Sequence, residues 1–233
     1  MAESSERELG SAMAIEVATK DTTALSDAEL AEMADLCAAR PAAFDVGLMS
    51  KQVEEWVLVT QARDDGRLVG FSFATLERIG GTPSLLVGLA SFAPGEAAEA
   101  LAAVLTDQYR RALLAFPDED VLVGTRLLEP AAFGAFAGLT DVVPRPGHKA
   151  TGEERAWGRR LAKRFGAEGR IDDRRSILAG TGSPSPALDL SGPPDADSSL
   201  AALFSGLEVA SGDALVAFGW AMAEDLAEGK LPG

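Results

Sequence analysis

The chain carries one cysteine, one histidine and one tyrosine in 233 residues. Cys37 alone cannot form an internal disulfide, so the stapled scaffold of small secreted domains is excluded and a cytoplasmic protein is the default expectation. Cys37 and His148 fall on different expected elements and are too few for the four ligands of structural zinc. Neither a metal site nor a Cys–His dyad is therefore expected. No apolar run approaches the ~20 residues that cross a bilayer. Residues 1–10 (MAESSERELG) lack the basic and apolar regions of a signal peptide. Positive charge is also scarce: 21 Lys and Arg stand against 36 Asp and Glu, a net charge of −15. Such a surface repels nucleic acid and anionic membranes, and neither is expected as a partner.

What is present is a globular composition. Hydrophobic residues make up 47% and mean hydropathy is +0.08, enough to bury a core and inconsistent with a disordered chain. The Ala- and Gly-rich composition is that of a GC-rich bacterial genome. The few bases are concentrated: ten of them lie between Arg145 and Arg175 beside five acids. That segment either packs on the acidic body of the chain or holds a local anion.

Periodicity divides the chain. Residues 1–13 read as a flexible tail and 14–18 as a short strand. Ser26-Asp-Ala-Glu29 is a capping box that opens a helix to about residue 39, ended by Pro41. A second helix covers 46–55. Strand-like runs follow at 56–62, 67–78 and 84–92, with Asp64-Asp-Gly66 as a hairpin turn. The middle run carries apolar residues on both alternating faces, the mark of a strand covered on both sides. A helix over 96–116, with Leu101, Val104, Leu105, Gln108 or Tyr109, and Ala112 on one stripe, leads to a strand at 120–125. A connection of that length implies parallel pairing of the flanking strands. A short helix is expected over 130–137 and a basic one over 151–165. Residues 179–197 are rich in Pro, Gly and Ser and read as a linker. Two helices, 198–207 and 212–228, close the chain, the second carrying Leu215, Phe218, Met222 and Leu226 on a stripe.

An antiparallel meander that hands over to one β–α–β crossover resembles the core of the GNAT N-acetyltransferase superfamily. The resemblance is strongest over residues 56–125. It implies an α/β fold with a mixed, mainly antiparallel sheet over residues 14–178, followed by the linker and a helical C-terminal extension over 198–233. It also implies acetyl-CoA or another acyl-CoA as co-substrate, seated where the fourth and fifth strands splay. The pantetheine arm would lie on Leu89, Ala90, Ser91 and Phe92, and the pyrophosphate on Gly95, Glu96, Ala97 and Ala98 at a helix N-terminus, where free amides and the helix dipole attract phosphate. The family's Gly-rich pyrophosphate motif is missing from this loop, which marks the chain as divergent, and Glu96 and Glu99 put negative charge there.

For chemistry, the family uses a carboxylate near the fourth strand and a tyrosine after the fifth. The fourth strand here has no carboxylate, and Tyr109 sits mid-helix on the core stripe. Glu77 and Glu129 are the remaining acids near the expected cleft; each is otherwise a solvated strand-end residue. The resemblance thus implies an acyl-CoA-dependent N-acyltransferase acting on a small-molecule or peptide amine. The alternative is a catalytically inactive GNAT-like binding or assembly protein. The apolar stripe of the extension must dock, either on the core or across a twofold axis in a homodimer.

Overall fold

The computed structural model describes residues 15–38, 43–190 and 198–231. The expected tail over 1–13, Pro41 and the last part of the expected linker lie outside the described residues. The chain runs β1 (Glu16–Asp21), α1 (Asp27–Cys37), α2 (Val46–Glu55), β2 (Leu58–Asp64), β3 (Arg67–Ile79), β4 (Thr82–Phe92), α3 (Ala97–Ala115) and β5 (Val121–Leu127). A 3-10 turn (Pro130–Phe136), β6 (Thr140–Val143), α4 (Gly152–Arg164), β7 (Ile171–Asp172), β8 (Ile177–Leu178) and β9 (Leu188–Asp189) follow. Last come α5 (Ser198–Leu203), β10 (Ala214–Ala221) and α6 (Ala223–Ala227). The Ser26 capping box forms as expected: the Ser26 hydroxyl accepts from the Glu29 amide, and the Glu29 carboxylate accepts from the Ser26 amide.

Among the described residues one mixed sheet carries the ten strands, in the order β1-β2-β3-β4-β9-β5-β10-β8-β7, with β6 on β10. β1 to β4 form the antiparallel meander, and β4 and β5 pair in parallel across the α3 crossover. This is the GNAT-like architecture, shown by strand order and direction. On one face α3, the 3-10 turn and α6 bury a core that includes Leu85, Val87, Leu101, Leu105, Val121 and Val123. On the other, α1, α2 and α4 cover Phe71, Phe73, Leu86 and Leu122. The sheet is thus buried on both sides, which explains why its central strands read as nearly continuous apolar runs.

The expected C-terminal helix over 212–228 is corrected by the structure. Ala214–Ala221 is strand β10, antiparallel to β5 over seven residue pairs, and only the short α6 beyond it is helical. The spacing of Leu215, Phe218 and Met222 fits a helix, but ALVAFGWA is also an unbroken apolar run of the kind a doubly covered strand needs. Gly219 inside a helix would cost about 1 kcal/mol. In β10 it lets Leu139 and Val142 approach, since a Cβ there would lie 3.1 Å from each. Leu215, Phe218 and Leu226 are buried against the rest of the chain, so of the two expected dockings of this stripe the structure has the one on the core. Nor does the 179–197 segment part the chain at 178, because β9 and β10 lie in the same sheet as β1 to β5.

Four of the ten bases in the basic segment meet a carboxylate among the described residues, three from within it and one from β3. Arg164 pairs with Glu77 at 2.7 Å, Lys163 with Glu168 at 3.4 Å and Arg145 with Glu154 at 3.3 Å, and Arg159 pairs with Asp173. Glu154 also accepts from His148 Nε2 at 2.8 Å and from the Thr151 amide at 2.6 Å in a second capping box. Burial alone would push the Glu154 carboxyl up, but these hydrogen bonds outweigh it and hold the pKa at about 2. A carboxyl lowered in the folded state contributes stability above its unfolded pKa, which is lost as pH falls through the folded value. Glu154→Gln is therefore expected to cost about 0.5–1 kcal/mol at pH 7, the scale of a well-oriented surface pair. The Tm difference from wild type should shrink as pH falls from 5 toward 2. A difference that stays constant over that range would contradict this role.

Candidate functional site

The site begins with a bulge. In the β3–β4 ladder Ser72 faces Ala90 and Ala74 faces Val87, so Gly88 and Leu89 together oppose Phe73. An extra residue of this kind bends and twists its strand. Gly88 is required because the Trp56 indole lies on it: a Cβ there would sit 2.2 Å from the ring. Trp56 is fixed in turn by a 3.2 Å hydrogen bond from its Nε1 to Gln52 Oε1. Beyond the bulge β4 leaves β5. Direct pairing covers only Ser84, Leu85 and Leu86 against Leu122, Val123 and Gly124. At the fork the Thr125 hydroxyl donates to the Val87 carbonyl at 2.9 Å. This is the splay in which the resemblance places a pantetheine arm.

The chain itself fills that splay. β9 lies parallel to both neighbours, with Leu188 facing Ala90 of β4 and Leu127 of β5, and Asp189 facing Ser91. The Ala90 amide donates to the Ala187 carbonyl at 3.1 Å. The Leu190 amide donates to Glu129 Oε1 at 2.9 Å. Ala187 and Leu188 are 1% exposed and Leu190 7%. Among the described residues, a cavity beside β9 lined by Cys37, Leu89, Ser91 and Asp189 is about 10 Å³, room for about one water.

The segment is tied on its approach as well. The Gly180 amide donates to Asp213 Oδ1 at 2.8 Å, and the Gly182 amide to the Ser211 carbonyl at 2.9 Å. Burying two leucines is worth about 3–6 kcal/mol, against about 4–8 kcal/mol for ordering four residues. These terms nearly cancel, so the hydrogen bonds, at about 0.5–1.5 kcal/mol each, decide that β9 stays.

The residues singled out from sequence divide accordingly. Leu89, Ala90, Ser91 and Phe92 lie on β4, all buried; Ala90 and Ser91 pair with β9, and Phe92 faces Gly70 of β3. The Ser91 hydroxyl is buried without a hydrogen-bond partner among the described residues. Gly95, with φ of 87°, ends the turn before α3, and Ala97 and Ala98 open that helix. Glu96 is its N-cap residue, and its carboxylate accepts from Arg67 at 2.6 Å, so an ion pair occupies the expected phosphate position. Glu129 does reach the splay, as the anchor of Leu190. Glu77 does not: it pairs with Ser84 at the far end of β4, about 20 Å along the strand from Ala90 at ~3.3 Å per residue. Tyr109 is buried under the sheet and burial pushes its hydroxyl far up. Among the described residues no group of three or more His, Cys, Asp or Glu side chains could hold a metal ion.

Two features escaped the sequence reading. One is Leu188 and Leu190, hidden in a Pro- and Ser-rich stretch; the only signal is the four-residue alternation Ala-Leu-Asp-Leu. The other is Arg126, a lone cation in the apolar run of β5, which is 4% exposed.

No family model matches the chain, and no curated protein matches it. Several solved structures are similar. The ribosomal-protein-S18-alanine N-acetyltransferase of Escherichia coli aligns with a TM-score of 0.41 at 12% identity, covering 59% of this chain and 86% of that one. The IAA acetyltransferase of Bacillus cereus ATCC 14579 gives 0.37 and 12%, covering 55% and 80%. A GNAT family acetyltransferase of Brucella melitensis in complex with acetyl-CoA gives 0.32 and 18%, covering 48% and 75%. At these scores no residue role transfers, and the fold assignment rests on the sheet order. Leu188→Ala is expected to cost about 2–4 kcal/mol in urea unfolding, as for a core leucine. A cost below about 0.5 kcal/mol, the scale of a surface change, would mean that residues 187–190 are a loose linker.

Proposed function

We propose that this protein is a GNAT-like binding module in which residues 187–190 take the place of the acyl-CoA arm, so that acyl transfer is not its activity. The observation that carries this reading is the insertion of β9 between β4 and β5, paired with both strands and held by the Glu129 carboxylate beyond β5. Supporting it, Glu96 is ion-paired at the expected phosphate position. The Glu nearest the splay, Glu129, is engaged in holding Leu190 rather than facing an acceptor amine.

A second reading is favoured by the shortness of β9, which pairs with β4 over two residues and with β5 over one. Under it β9 is a strap that withdraws, and the protein is an acyl-CoA-dependent N-acyltransferase acting on a small-molecule or peptide amine. Substrate orientation beside a thioester then supplies much of the rate.

Thermal unfolding with acetyl-CoA separates the two. A ligand that binds only the native state and is present at 100 times its Kd stabilises by about 2.7 kcal/mol. Wild type is expected to show no Tm shift at ~1 mM acetyl-CoA. A shift that grows with acetyl-CoA concentration in wild type would overturn the binding-module reading in favour of the transferase.

A further inference from the structure

The guanidinium of Arg126 is the most deeply buried cation described. It projects from β5 on the α2 and α4 side of the sheet and stacks over the Phe165 ring, 4.6 Å from its centroid. Among the described residues the guanidinium makes no hydrogen bond and no ion pair, and its Nε is buried without a partner. A buried charge normally finds a carboxylate; the neighbouring arginine does, since Arg164 pairs with Glu77.

Arg126 lines a cavity of about 240 Å³ between the end of α2, the end of α4 and the 180–186 loop. Arg170 lines it too, with Nη1 donating to the Ala179 carbonyl at 2.7 Å and Nη2 to the Gly166 carbonyl. These acceptors are neutral, so its charge remains. Glu55 at the end of α2 supplies negative charge to the same cavity. Two cations and one anion leave a net of one positive charge. Close backbone packing closes the floor: a Cβ on Gly180 would lie 1.9 Å from the Ser211 carbonyl oxygen. The Gly180-Thr-Gly182 sequence thus shapes this wall. Burial pushes the Arg126 pKa down to about 10, with Arg170 and Arg164 acting in the same direction and Glu55 against them; the group remains a cation at neutral pH.

We infer that this cavity is a binding site for a small carboxylate, held by the Arg126 guanidinium and assisted by Arg170. A planar guanidinium presents parallel N–H donors that match the two oxygens of a carboxylate. A monoanion cancels the cavity's net charge, whereas a phosphate dianion would overshoot it beside Glu55. The volume admits a ligand smaller than the drug-sized molecules held by ordinary pockets of ~300–1,000 Å³. The site lies on the opposite face of the sheet from α3; because residues 180–186 line it and lead directly into β9, it rests on the reading in which β9 stays in place.

The test uses sodium acetate as probe, read as the Tm shift and by titration of backbone amide resonances, against sodium chloride at equal ionic strength. Wild type should respond saturably, with resonances of Gly166, Thr181 and Ser183 among those that move. Arg126→Met should weaken acetate by at least about tenfold, as expected for losing hydrogen bonds to a charged group. Glu55→Gln alters an exposed residue and should leave the fold intact; removing its like charge should tighten acetate by about two- to fivefold. No saturable response in wild type, an unchanged affinity in either variant, or tighter binding of inorganic phosphate than acetate would overturn the assignment.

Discussion

The structure turns on what happens to backbone groups when two parallel strands are forced apart. The Gly88–Leu89 bulge and the Trp56 indole packed on it steer β4 away from β5. Each strand is then left with an inner edge of amides and carbonyls in the middle of a sheet buried on both faces. Such groups cannot stay unpaired without a large cost. Either a ligand that mimics a strand must satisfy them or the chain must. Here Ala187 to Leu190 do so, with Leu188 sealed between Ala90 and Leu127. The loop from 179 to 186 is pinned to Ser211 and Asp213 on its way into the splay, while β10 pairs with the outer edge of β5.

The core over 56–127 was legible because each element carries a long pattern with distinct punctuation. β3 and β4 read as apolar runs flanked by Gly turns, and α3 as five turns of one stripe. The C-terminal third was not legible, for two physical reasons. Ala214–Ala221 is apolar at nearly every position, so helical and extended periods both fit it, and the choice is made by the open edge of β5. β9 is two residues long; no periodicity exists over so short a stretch, and its pairing is imposed by edges more than 60 residues away in sequence. The candidate site shares this asymmetry. Leu89 to Phe92 do fall on β4, the strand that the order of elements implies, while Glu129 holds a partner, the Leu190 amide, that no local pattern reveals.

Charge follows the same logic of local satisfaction. The bases between Arg145 and Arg175 looked available for an anion, yet Glu77, Glu154, Glu168 and Asp173 meet four of them. The buried cation without a carboxylate partner among the described residues is Arg126, outside that segment and inside the apolar run of a strand. Burial, not charge density along the sequence, distinguishes it.

Whether β9 is an integral strand is read most directly from hydrogen exchange at single amides. If Ala187 to Leu190 complete the sheet, the Ala90 and Leu190 amides exchange only through global unfolding, with the same protection as the neighbouring Val123 amide of β5. Their protection is then the same with and without ~1 mM acetyl-CoA. Exchange at Ala90 and Leu190 through a local opening, several kcal/mol below the global free energy and altered by acetyl-CoA, would contradict the account and mark β9 as a displaceable strap.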